Sequence, residues 1–177
     1  MTTQAIAAAM HRVRAVLQRR PATGLHDDAP AAARWQGGTR VVSSHANGTQ
    51  LSTDMPGELG GSGDQVTPGW LFRAGLASCA ATRIAMGAAA EGIELATLEV
   101  LASSRSDLRG IFGMANAEGD TVQAAPCEVQ LLIRIAARGI PPDRLRALVE
   151  DSYRCSPVPN ALVNAVPVAL RIDVGTL

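Results

Sequence analysis

The stretch Thr67-Pro68-Gly69-Trp70-Leu71-Phe72-Arg73-Ala74-Gly75-Leu76-Ala77-Ser78-Cys79-Ala80-Ala81-Thr82 decides how the rest of this chain is read. Thr67 has the hydroxyl of an N-cap, and Pro68 suits the first turn of a helix. The run that follows is nearly all apolar, so the pattern predicts a long buried helix to about Glu91, stopped by Gly92. About three turns in, it carries the thiol of Cys79. At 3.6 residues per turn, Phe72, Leu76, Arg83 and Met86 fall near the face of Cys79, with Gly75 one turn before it. Helical side chains lean toward the N-terminus, so Arg83 is expected to lean back on Cys79. A guanidinium beside a thiol favours the thiolate, which is the competent nucleophile. Phe72, Leu76 and Met86 would wall an apolar substrate, and Gly75 would leave it room. The same residues also admit a plain structural reading. Free cysteine is among the most buried residue types, and an arginine is more often a surface ion-pair partner than an activator. On the helix alone both readings stand.

Outward from this helix the chain divides into recognisable pieces. Residues 3–20 read as an amphipathic helix with Ile6, Met10, Val13 and Leu17 on one face, stopped by Pro21. A linker rich in proline, aspartate and alanine follows to about residue 33. Arg40-Val41-Val42 and Gln50-Leu51-Ser52-Thr53 read as two strands turning at Asn47-Gly48. The glycine-rich run from Pro56 to Asp64 lacks the Gly-Lys-Ser/Thr ending of a phosphate loop and reads as a plain loop. Residues 93–107 and 127–136 read as strands, the second with Val129, Leu131, Ile133 and Ile135 on one side. Cys127 is expected in the core. Pro141-Pro142-Asp143 opens a helix to about Tyr153, a short turn or helix follows at 159–163, and Val166–Val174 alternates as a final strand. Consecutive strands flanking two main helices indicate an α+β fold with antiparallel pairing. The domain reading is an N-terminal helix and linker over residues 1–33 and one folded domain over 34–177.

Composition narrows the function. In 177 residues, 47% are hydrophobic and 18% charged, enough for a packed core. Sixteen basic residues balance sixteen acidic ones, and aromatics are 3%, so neither a basic field nor a stacking platform points to nucleic acid. Arg73 and Arg83 interrupt the longest apolar run, so no membrane span is expected. The arginines near the N-terminus follow the alanines, the wrong order for a secretory signal. Cys79, Cys127 and Cys155 are odd in number and widely spaced, with no CxxC pair, and His11, His26 and His45 are scattered. The expectation is a cytoplasmic protein with no metal and no cofactor.

The helix Pro68–Thr82, the preceding Glu58-Leu59-Gly60-Gly61 and the distal Ser156-Pro157-Val158-Pro159-Asn160-Ala161-Leu162 resemble the OsmC/Ohr family. So does Val166-Pro167-Val168-Ala169-Leu170. The resemblance covers roughly residues 34–174. It implies an OsmC-like fold, an intertwined homodimer with antiparallel sheets wrapped around long central helices and sites at the subunit interface. It also implies a thiol peroxidase. A helical cysteine, matched by Cys79, attacks an organic hydroperoxide; a distal cysteine forms a disulfide with it; an external dithiol resets both. Arg40, after Gly37-Gly38, matches the family arginine. In two places the chain departs from the pattern. Gly69 stands where the family has a glutamate, and Ser156 stands at the resolving-cysteine position, with Cys155 one residue earlier. With Arg83 added from the helical face of Cys79, the candidate site set is Cys79, Cys155, Arg40 and Arg83. The alternative is a non-catalytic protein of this fold that binds a small apolar molecule at the dimer interface. A third is an interaction protein built on the N-terminal helix.

Overall fold

The computed structural model describes residues 2–175. Helix α1 (Thr3–Arg19) starts on the Thr2 hydroxyl, which accepts from the Ala5 N–H at 3.2 Å, and a 3-10 turn at Pro21–Gly24 follows it. Strands β1 (Ala32–Gly37), β2 (Arg40–Ser44) and β3 (Gln50–Thr53) form an antiparallel meander. The β1–β2 turn needs Gly37 and Gly38, whose φ angles are 108° and 55°. Strand β1 was not foreseen, because Ala32-Ala33-Arg34 continues the composition of the linker before it. The loop from Asp54 to Val66 is tied at its neck, where Thr53 bridges Val66 and the Asp54 N–H reaches the Val66 carbonyl at 3.1 Å.

Helix α2 (Pro68–Ala90) begins as the sequence predicts, with Thr67 accepting from the Trp70 N–H. It ends in a Schellman-type closure around Gly92: the Gly92 N–H bonds to Ala89 and the Ile93 N–H to Ala88. Strand β4 (Leu95–Arg105), the single turn α3 (Leu108–Ile111) and strand β5 (Cys127–Ala137) come next, with β4 and β5 forming an antiparallel pair. Helices α4 (Pro142–Arg154) and α5 (Pro157–Val163) complete the regular structure.

Helix α2 is the centre, packed by α1, β4, α4 and α5. It buries Leu76, Ala80, Ile84 and Ala88 at four-residue steps along one face. At its C-terminal end, Ala88 and Ile93 meet Leu145 and Leu148 of α4, with Leu95 and Ile135 of the sheet against them. Burying each leucine or isoleucine here contributes about 1.5–3 kcal/mol. Gly87 lets α4 come close: a methyl there would sit 2.6 Å from Ser152 Oγ and 3.0 Å from Leu148 Cδ1.

The expected final strand does not form within this chain. Residues 164–175 have no regular structure, and Val168 and Leu170 are 93% and 83% exposed. The period of two is real, but a strand exists only on a ladder, and this segment lies on neither sheet. Cys127, expected in the core, is exposed at the end of the β4–β5 ladder, opposite Arg105.

Candidate active site at Cys79

Cys79 is half-buried on α2. Its Sγ lies 3.4 Å from the Ser156 hydroxyl, and the Val158 N–H donates to it at 3.5 Å. Ser156 sits at the N-cap position of α5, its hydroxyl making no capping bond, and is completely buried. The bend that presents it is held from several sides. The Cys155 N–H bonds to the Ser152 carbonyl and the Ser156 N–H to the Tyr153 carbonyl. Asn160 Nδ2 donates to the carbonyls of both Arg154 and Ser156, at 2.9 Å each. The distal Ser-Pro-Val-Pro-Asn motif is therefore a device that fixes residue 156 against the thiol. Cys155, at the C-cap of α4, is exposed.

Neither arginine is among the hydrogen-bond partners of Sγ. Arg83 runs forward rather than back: its Nη1 lies 3.4 Å from the point where a methyl of Gly87, one turn further on, would stand. That nitrogen is buried and has no hydrogen-bond partner among the described residues. Arg40 is engaged in the 54–66 loop. Its Nη2 donates to Asp54 Oδ2 at 3.1 Å, to Ser62 Oγ at 2.7 Å and to Asp64 Oδ1. Gly69 leaves space beside Arg73, whose Nη1 would lie 3.8 Å from an added Cβ and now reaches Ser104 Oγ at 3.4 Å.

Asp54 is the residue that sequence reasoning missed. Its side chain is 5% exposed. It accepts from Thr39 Oγ1 at 2.5 Å, Ser62 Oγ at 2.6 Å, the Ser62 N–H at 3.2 Å and the Met55 N–H at 2.8 Å. The Ser62 hydroxyl first, then that of Thr39, holds this carboxyl well below the usual range. Asp64 is lowered too, chiefly by Ser62, with Arg40 adding to the effect. A tight backbone makes this loop possible. A Cβ at Gly61 would fall 1.8 Å from the Met55 carbonyl oxygen, so only glycine fits. That requirement was the one available signal: a glycine-rich run with no phosphate-loop ending must serve its own turn.

An apolar cleft of about 440 Å³ opens between β5, α4 and α5. Leu76, Leu131, Ile133, Tyr153, Pro159 and Leu162 line it, and Glu150 is its one charged residue. Leu76 lies one turn before Cys79, and Pro159 follows the Val158 that touches the sulfur. Of the apolar wall expected from the helical wheel, Leu76 takes part, whereas Met86 faces α1. No group of three His, Cys, Asp or Glu side chains among the described residues could hold a metal ion. No helix among them is long and apolar enough to cross a membrane.

A central helix bearing a half-buried thiol, capped by a proline-rich distal bend and flanked by antiparallel sheets, defines a class of α+β proteins built around a helical cysteine. The profile of OsmC-like proteins matches residues 61–171, and the chain belongs to that family. Solved structures agree in fold. An OsmC-like protein from Mycoplasma pneumoniae superposes with a TM-score of 0.64 at 14% identity, over 78% of this chain and 89% of that one. An organic hydroperoxide resistance protein, OsmC, from Legionella pneumophila gives 0.54 at 23%, over 77% and 91%. An organic hydroperoxide resistance protein from Elizabethkingia anophelis gives 0.54 at 19%, over 77% and 90%. No curated protein matches the sequence.

Proposed function

We propose that this protein reduces organic hydroperoxides, with Cys79 as the attacking thiol. The observation that carries this reading is the half-buried Sγ, met by Ser156 Oγ and the Val158 N–H beside the apolar cleft. The thiolate attacks the terminal peroxide oxygen. An S–O bond forms, the O–O bond breaks, and the alkoxide takes up a proton and leaves as the alcohol. Cys79 becomes a sulfenic acid. The cleft's apolar walls suit a hydrocarbon substituent on the peroxide rather than hydrogen peroxide itself. Neither arginine hydrogen-bonds to the sulfur, since Arg83 Nη1 lies toward Gly87 and Arg40 is held by Asp54 and Asp64, so in this reading either must turn to Cys79 to serve as its charge partner. The electrons are returned by an external dithiol, as the family resemblance implies, and a reducing cytoplasm suits three free cysteines.

The working unit in this reading is a homodimer. Its support is the exposed alternating segment Val166–Val174, whose apolar side chains have no surface of their own chain to cover. Residues 1–33 form an appendage to the family domain of 34–177. The test is the Cys79→Ser variant. Wild-type protein is expected to lose one titratable thiol on adding cumene hydroperoxide, and the variant to consume none above background. A variant that consumes peroxide as fast as the wild type would end the proposal. The second reading, a non-catalytic binder of a small apolar molecule, is favoured by the engagement of Arg40 with Asp54 and Asp64. It requires an apolar ligand to co-purify and the wild-type thiol to survive the peroxide.

A further inference from the structure

We propose that oxidised Cys79 is resolved by an external thiol attacking the sulfur directly, and that Cys155 takes no part. This rests on the peroxidase reading and specifies how the enzyme is reset. The side chain facing the thiol belongs to residue 156, which is completely buried with its Oγ 3.4 Å from Sγ. A serine hydroxyl cannot form a sulfur–sulfur bond. It donates a hydrogen bond to the sulfur as negative charge gathers there, and to the sulfenate oxygen afterward.

Cys155 is the thiol adjacent to residue 156, but it is exposed while Ser156 is buried. A disulfide needs its two sulfurs at about 2.05 Å with the α-carbons within about 7 Å and the Cβ vectors converging. Exchanging the places of 155 and 156 would break the Cys155–Ser152 and Ser156–Tyr153 backbone bonds and both Asn160 Nδ2 bonds. Both ends of this bend are helical, and Pro157 and Pro159 restrict it further. The bend is built to hold one residue against the sulfur, and that residue is a serine.

The reset then balances with two equivalents of thiol. The first attacks Cys79-SOH, forming a mixed disulfide and releasing water. The second attacks the mixed disulfide, freeing the Cys79 thiol and carrying away the small disulfide. A dithiol performs both steps, the second within one molecule; a monothiol performs them in sequence.

The experiment treats full-length wild type, Cys155→Ser and Ser156→Cys with one equivalent of cumene hydroperoxide. Sulfenic acid is captured with dimedone, and disulfides are mapped on non-reduced peptides. Turnover is measured with 2-mercaptoethanol as reductant. Wild type is expected to yield the dimedone adduct of Cys79, no 79–155 disulfide, and a mixed disulfide with 2-mercaptoethanol. Cys155→Ser is expected to turn over within about twofold of wild type. Ser156→Cys is expected to form a 79–156 disulfide and lose the dimedone adduct. A 79–155 disulfide in the wild type, with turnover falling more than about tenfold in Cys155→Ser, overturns the inference while leaving the peroxidase reading intact. Failure of Ser156→Cys to close a disulfide although its Cys79 is oxidised overturns the geometry on which it rests. A Cys79 that cumene hydroperoxide leaves reduced in every protein removes the peroxidase reading and this inference with it.

Discussion

Replacing Gly87 by alanine sets two known effects against each other at the α2–α4 contact. Helix propensity favours alanine over glycine by about 1 kcal/mol in a helix interior. Packing opposes it. The new methyl would lie 2.6 Å from Ser152 Oγ and 3.0 Å from Leu148 Cδ1, where ordinary contacts begin at 3.4 Å. Ser152 is 2% exposed and Leu148 1%, so neither has free space to turn into. The helices must part by about 0.8 Å at the tighter contact, and overpacking of this kind costs about 1–3 kcal/mol. The net expectation is a loss of about 1 kcal/mol. The partner substitution gives the sharper test. Ser152→Ala removes the atom at 2.6 Å and vacates space beside Leu148, whose Cδ1 at 3.0 Å then needs to shift by only about 0.4 Å. In that background Gly87→Ala should cost nothing or stabilise, for a coupling of about 1–2 kcal/mol in the double-mutant cycle. Urea unfolding at one fixed protein concentration, which holds any contribution from association at the same mass-action level, measures all four proteins. Because α4 runs directly into Ser156, the single variant should also slow peroxide consumption, and the double variant should restore it. The reasoning fails if Gly87→Ala raises the urea midpoint in the wild-type background, or if the two substitutions are additive.

Two further expectations follow from the loop and the C-terminus. Asp54 has its folded carboxyl pKa below the ordinary value of 3.8, so its stabilisation is complete above about pH 4 and drains away as pH falls toward the folded value. The urea midpoint of the wild type should exceed that of Asp54→Asn by a constant margin from pH 5 to 7, and the margin should shrink below pH 4; one unchanged down to pH 3 would contradict the network. Ending the chain at Asn164 removes Val166, Val168, Leu170, Ile172 and Val174, apolar at alternate positions and all exposed here. At about 1.5 kcal/mol for each side chain buried between subunits, burial of only two of the five would make the proposed dimer weaken by about a hundredfold in sedimentation measurements. A truncated chain that remains dimeric at the same concentrations would show that this segment is not the seam.

What the sequence disclosed, and what it withheld, divides along a physical line. Local signals were reliable. Thr67 and Pro68 opened α2, Gly92 closed it, and the alternation of Leu131, Ile133 and Ile135 gave β5 its inward face, although Val129 at its start is exposed. Such features depend on residues a few positions apart. The position of Cys79 on its helix was legible for the same reason, but its partner was not. Ser156 comes from 77 residues away, and only the fold brings it to the sulfur. Arg83 shows the limit of a helical wheel: the wheel fixes the Cα–Cβ direction, yet a four-bond side chain can lie forward along the groove that Gly87 leaves open. The strand expected at Val166–Val174 failed for a non-local reason too, since its pattern states a preference for a ladder and cannot supply one.

The departures at Gly69 and Ser156 bear on charge in different ways. A carboxylate at residue 69 would stand near Arg73, but Arg40 already has two carboxylates of its own in Asp54 and Asp64. Asp54 is held by more than Arg40. Thr39, Ser62 and Met55 supply four hydrogen bonds to it, and its depressed pKa comes first from Ser62 and Thr39. The missing carboxylate at 69 does not leave Arg40 without a holder. Ser156 differs, because its hydroxyl has no hydrogen-bond partner besides Cys79 among the described residues. Substitutions at Asp54 should thus act mainly on stability, whereas substitutions at Ser156 should act on the chemistry of the sulfur.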